Sequence, residues 1–170
     1  MYVNPDIFKA YDVRGDFPDE INQKAVYLIA RAFAQYLRPA HAVKQLRIVV
    51  AVDARPSSPE LKRGVIDGLL DEGVEIIDSG VSTTPYHYFS VIQEQADGGI
   101  MVTASHNAFR SNGLKLSKAG GEPLGDGIEV LKQSTRRGIF EKGKVQGKVV
   151  ERAHQREYID FLLSKVDLSR

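Results

Sequence analysis

Apolar residues along this chain alternate between helix-like periods and short continuous runs. Over residues 19–37, Ile21, Ala25, Leu28, Ile29, Ala32 and Phe33 recur at three- and four-residue steps, which predicts an amphipathic helix ending before Pro39. Residues 46–52 form an unbroken apolar run, the pattern of a strand buried on both faces. Ser58 is placed to cap a helix beginning at Pro59, whose apolar face is Leu61, Val65, Ile66, Leu69 and Leu70, up to Gly73. Residues 74–77 read as the next strand, and Thr84-Pro85 opens a helix to about Gln95. Two further strands follow at 98–103 and 113–117, then helices at 127–137 and 155–163. Four strands separated mainly by helices predict an α/β fold, a mixed and mainly parallel sheet sandwiched between helices.

The stretch 138–148 is polar, carries glycine and has no strong period, so it reads as a turn or linker. This divides the chain into a domain over 1–150 and a linker with helix over 151–170. The last helix is unusually apolar for a terminal element, with Tyr158, Ile159, Phe161, Leu162 and Leu163, and is expected to lead towards an absent second domain.

The 170 residues are enough to bury a substantial core. Lys+Arg 23 against Asp+Glu 22 leaves a net charge of +1, which argues against a nucleic-acid binder with a concentrated basic surface. No apolar run approaches the ~20 residues needed to span a bilayer, and 1–6 have no signal-peptide pattern. The absence of cysteine excludes disulfides and thiolate metal sites and is compatible with a reducing cytoplasm, the expected location.

Three constellations carry candidate chemistry. Thr103-Ala104-Ser105-His106-Asn107 follows a buried-looking strand and precedes Asn112-Gly113-Leu114-Lys115, so a hydroxyl stands at a strand end with an imidazole and an ammonium nearby. Adjacent residues of an extended chain point to opposite sides, so His106 is not expected to meet the Ser105 hydroxyl. The absence of a Gly-x-Ser-x-Gly elbow also argues against a hydrolase. A phosphoserine, which seeks cationic donors such as Lys115, His106 and Arg14, fits better. Tyr11-Asp12-Val13-Arg14-Gly15 offers Tyr11 and Arg14 to an anion, or is simply an N-terminal strand. Asp53-Ala54-Arg55-Pro56-Ser57-Ser58 sits at a strand end, where Asp53 and Arg55 either brace a turn or support the serine loop from behind. The glycine-rich 120–127 lacks a Gly-Lys-Ser/Thr ending and reads as a loop into the next helix, while His41, His87 and His154 lack metal-ligand spacing.

In order and spacing these motifs resemble the α-D-phosphohexomutases, and the match covers residues 5–150, the N-terminal domain of the phosphomannomutase/phosphoglucomutase group. Thr83-Thr84-Pro85 is similar to the family pattern as well. The resemblance implies an isomerase of carbohydrate metabolism in which Ser105 carries the catalytic phosphoryl group. Its partners would be hexose phosphates, with a hexose bisphosphate as intermediate. It also implies Mg²⁺ bound through the phosphoserine oxygen, Arg14 and Lys115 at the transferring phosphate and His106 lining the same pocket; Tyr11 is expected to join the phosphate-binding residues, and Asn107 to support the site with Asp53 and Arg55. Two departures stand out. Ala108 replaces the family's usual proline after Ser-His-Asn, which predicts a less rigid loop. The family enzymes also have four domains, so the isolated chain is expected to be inactive without the remaining domains. A stand-alone regulatory or binding module is the alternative.

Overall fold

The computed structural model describes residues 3–38, 45–140 and 142–167; Pro39 and His41 lie outside the described residues. The elements are β1 (Val13–Asp16), α1 (Gln23–Leu37), β2 (Arg47–Val52), α2 (Ser58–Asp71), β3 (Glu75–Val81), α3 (Thr84–Gln93), β4 (Gly98–Val102), β5 (Ser111–Lys118), α4 (Gly127–Arg137), β6 (Lys148–Glu151) and α5 (Gln155–Leu163). The six strands form one sheet in the order β1-β5-β4-β2-β3-β6.

The sheet is mixed and mainly parallel, with two strands beyond the four expected. β2 pairs in parallel with β3 and β4, and β6 extends the parallel side from β3. β5 runs antiparallel to both β4 and β1, so it alone is reversed. The reason is its connection. No helix separates β4 from β5, and without a crossover the chain must return antiparallel. Both unexpected strands are four-residue sheet edges, too short for a clear alternation. β6 crosses residue 150.

Alternate residues divide the sheet's two faces. Ile48, Val50, Ile76, Ile100, Val102, Leu114 and Leu116 join the main core with Val26, Ile29 and Phe33 of α1, Leu61 and Val65 of α2, and Leu131 of α4. Val49 and Ile77 face the other way, towards Val91 of α3. α1 starts at Gln23 rather than 19, where the Asn22 side chain accepts from the Ala25 amide at 3.1 Å. On α5, Tyr158 packs edge-on against Tyr86 and Phe161 stacks at a tilt on Phe89, both from α3. Ile159, Leu162 and Leu163 remain exposed.

Candidate active site

The connection from β4 to β5 is the serine loop. Its base is closed by the Thr103 amide donating to the Gly113 carbonyl at 2.9 Å, and the Ser105 amide donates to Thr103 Oγ1 at 2.9 Å. Ser105 is exposed at the end of a strand, as the sequence predicts. Its backbone is not extended, however. With φ at +57° it occupies the left-handed region, uncommon for a residue with a Cβ. That turn brings Ser105 Oγ to 3.3 Å from His106 Nδ1, so the expectation that these neighbours diverge is corrected. The expectation assumed a strand; the chain has already left it.

Arg55 holds this loop from behind. Its Nη1 donates to the carbonyls of Ala108 at 2.8 Å and Ser111 at 2.9 Å, and its Nη2 to those of Ser105 at 3.0 Å and Asn107 at 2.8 Å. Asp53 in turn fixes Arg55, accepting from its Nε and its backbone amide, both at 3.1 Å. Ser58 is not the helix cap expected from sequence. α2 begins at Ser58 itself, and the buried hydroxyl donates to Asp53 Oδ1 at 2.6 Å. Asn112, fully buried, completes this support with its Nδ2 donating to Ser57 Oγ at 2.8 Å and Ser58 Oγ at 3.0 Å. Ala108 therefore lies in a loop gripped by a guanidinium, where the family usually has proline.

The cations come from β1 and β5. Arg14 pairs with Gly113 and Val13 with Leu114, so Arg14 and Lys115 fall on one face of the sheet, with Asp12 next to Lys115. Asp12 Oδ2 accepts from Arg14 Nη2 at 2.5 Å and from Lys115 Nζ at 3.5 Å. Arg14 Nη1 also donates to Asn107 Oδ1 at 3.2 Å, which ties the cation pair to the serine loop. Between them Gly113 allows the two strands to approach closely: an added Cβ would lie 2.1 Å from the Val13 carbonyl oxygen. Tyr11 projects into solvent at 76% exposure beside this cluster in sequence. Tyr88 of α3, which the sequence reading did not single out, lies close enough to matter. Burial and the Asp12 carboxylate raise its phenol above the ordinary tyrosine range. Asp12 was legible in principle, since residues two apart on a strand share a face.

The other histidines separate. His154 binds Glu94 through Nε2 at 2.8 Å, and His87 is fully buried beneath the sheet. The glycine-rich loop turns the chain into α4, with Gly120, Gly121 and Gly125 at positive φ. Among the described residues no group of three or more His, Asp or Glu is placed to hold a metal ion. The donor set explains this: Asp12 is engaged by two cations, and Asp53 by Arg55 and Ser58. The described residues do not by themselves fit an octahedral Mg²⁺ site.

Known proteins share this arrangement of elements. Residues 5–153 match the family pattern described as "Phosphoglucomutase/phosphomannomutase, alpha/beta/alpha domain I". The chain belongs to the phosphoglucomutase/phosphomannomutase family. A phosphomannomutase of Vibrio cholerae is 36% identical over 161 residues, covering 94% of this chain and 35% of that protein. A phosphoglucomutase of Neisseria gonorrhoeae is 35% identical over 170 residues, covering 99% of this chain and 36% of its own length. The crystal structure of a family protein from Burkholderia thailandensis superposes with a TM-score of 0.88 at 31% identity, over 99% of this chain and 38% of that one. The chain thus spans about a third of the length of the curated relatives it matches. No helix among the described residues is long and apolar enough to cross a membrane.

Proposed function

We propose that this chain is the phosphoserine-bearing domain of a phosphohexomutase, with Ser105 as the phosphoryl carrier. The observation that supports this best is one arrangement: an exposed hydroxyl on a loop held through its backbone, and Arg14 tied to that loop beside Lys115. In the reaction a hexose-phosphate hydroxyl attacks phosphoserine. The Ser105 O–P bond breaks as the sugar O–P bond forms, the hydroxyl proton ends on Ser105 Oγ, and a bisphosphorylated sugar results. After the sugar reorients, Ser105 Oγ takes back the other phosphoryl group.

Each residue has a role set by its position. Arg14 and Lys115 offset charge on the transferring phosphoryl oxygens, Arg14 through a planar fork and Lys115 as a point charge. His106, 3.3 Å from Ser105 Oγ, accepts the serine proton as the O–P bond forms. Exposed Tyr11 is free to contact the sugar phosphate. Asp53, Arg55 and Asn107 hold the loop. Mg²⁺, when bound, would neutralise phosphoryl charge with the phosphoserine oxygen as its ligand from this chain. The remaining ligands, and sugar recognition, fall to the other domains of the parent enzyme. The 170-residue chain alone is therefore expected to turn over no hexose phosphate.

The contact between Ser105 and His106 also suits a hydrolase dyad. Among the described residues, however, no carboxylate hydrogen-bonds to His106, and a triad needs that third group. Intact mass spectrometry after incubation with hexose 1,6-bisphosphate tests the reading. In a complete enzyme carrying this domain, one phosphoryl group should appear on the wild type and not on Ser105→Ala; no gain by the wild type, or an equal gain by the variant, would refute the assignment.

A further inference from the structure

We propose that Asp12 is a positioning residue for phosphoryl transfer, holding Arg14 and Lys115 together on one carboxylate oxygen while Ser105 is unphosphorylated and yielding both to phosphate. This rests on the phosphohexomutase reading above. Three observations carry it. A single oxygen, Oδ2, accepts from Arg14 Nη2 at 2.5 Å and from Lys115 Nζ at 3.5 Å. The carboxylate is the most buried member, with 10% of its side chain exposed against 27% for each cation. Finally, the β1–β5 register places Asp12, Arg14 and Lys115 on one face, where Gly113 admits the close approach of the strands, so the arrangement is built into the sheet.

The physical consequence is a balance of charge. Arg14 and Lys115 on adjacent strands repel each other, and Asp12 offsets that repulsion. With Asp12 ionised, the three groups carry a net charge of +1, which attracts an anion without trapping it. A phosphoryl group on the loop competes with Asp12 for the same two donors. As it departs, the carboxylate recovers them and keeps them in register for its return. Asp12 touches neither substrate nor the reacting atoms in this scheme. It acts through Arg14 and Lys115. Tyr88 of α3 also faces Asp12, whose carboxylate, with burial, raises the phenol above its ordinary range.

The substitution Asp12→Asn separates positioning from simple structural support. Removing the negative charge should tighten binding of inorganic phosphate by roughly two- to fivefold at low salt. Phosphoryl transfer from hexose 1,6-bisphosphate to Ser105 should nonetheless slow, because the cations no longer share one anchor. Asp12→Glu should return phosphate affinity towards wild type. A structural role would instead weaken binding and lower the melting temperature together. Weaker or unchanged phosphate binding by a folded Asp12→Asn would overturn the proposal, as would wild type that binds no phosphate. If that variant does not fold, NMR of the wild type decides. Phosphate should shift Asp12 Cγ and Lys115 Nζ together, and a static Asp12 Cγ at saturation would overturn the proposal. Failure of Ser105 to accept a phosphoryl group in wild type would sink the mutase reading instead, leaving the anion titration to stand separately.

Discussion

His87 abuts Gly99, so close that a Cβ on the glycine would stand 2.6 Å from the imidazole Nε2. Neither ring nitrogen has a hydrogen-bond partner among the described residues, and burial lowers the His87 pKa to about 3 from 6.5. The neutral ring is thus fixed under β4, the strand that delivers Ser105. Because the folded pKa lies below the unfolded one, the unfolded chain binds the extra proton. Stability is full above about pH 6.5 and lost as pH falls towards 3. The effect is at most roughly 5 kcal/mol. His87→Leu should flatten the acid limb of a pH-dependent melting curve, and at pH 7 raise stability by about 1 kcal/mol by removing unpaired nitrogens. An unchanged acid limb would show that other groups govern it.

Gly113→Ala should cost more than about 2 kcal/mol, because backbone rather than a movable side chain blocks the new methyl at 2.1 Å. The clash separates β1 from β5, so phosphate affinity should fall along with stability. Urea unfolding and phosphate titration of the variant check both.

Arg55→Ala should destabilise by about 1–2 kcal/mol, since two half-buried and two exposed carbonyls lose their donor together. Arg55→Lys should recover little, because an ammonium cannot fork across four carbonyls. Amide NMR should show the largest shifts at Ser105, Asn107 and Ser111. Shifts confined to α2 would contradict the clamp.

Arg14→Ala and Lys115→Ala should each weaken phosphate binding, more so at low salt, with melting temperatures changed by only a few degrees. In a complete enzyme the same substitutions should depress turnover more than stability. Unchanged phosphate affinity in both variants would return these residues to the solvated surface.

Long-period features were legible in the sequence. The helical faces of α1 and α2 and the buried runs of β2 and β4 declare themselves because each must fill a core. β1 and β6 do not, since four residues at a sheet edge carry little periodicity. Ser58 misled for a physical reason. A serine before Pro59 fits a cap, but only the folded chain brings Asp53 and Asn112 to its hydroxyl. His106 was read as diverging from Ser105 because the sequence does not announce a positive φ at a serine. Motif residues were easier to name than to connect: Asp12 stood in plain view, while its bond to Lys115, 103 positions away, depends on sheet register.

Arg55 grips only main-chain oxygens of the serine loop, and every residue type offers those. Side chains at 108 and 109 are consequently free to vary without moving the Ser105 backbone, provided neither disturbs the four carbonyls. Alanine at 108 and a solvent-facing phenylalanine at 109 illustrate that latitude. The loop's backbone shape is thus set by Arg55, ahead of α2, and not by the side chains at 108 and 109.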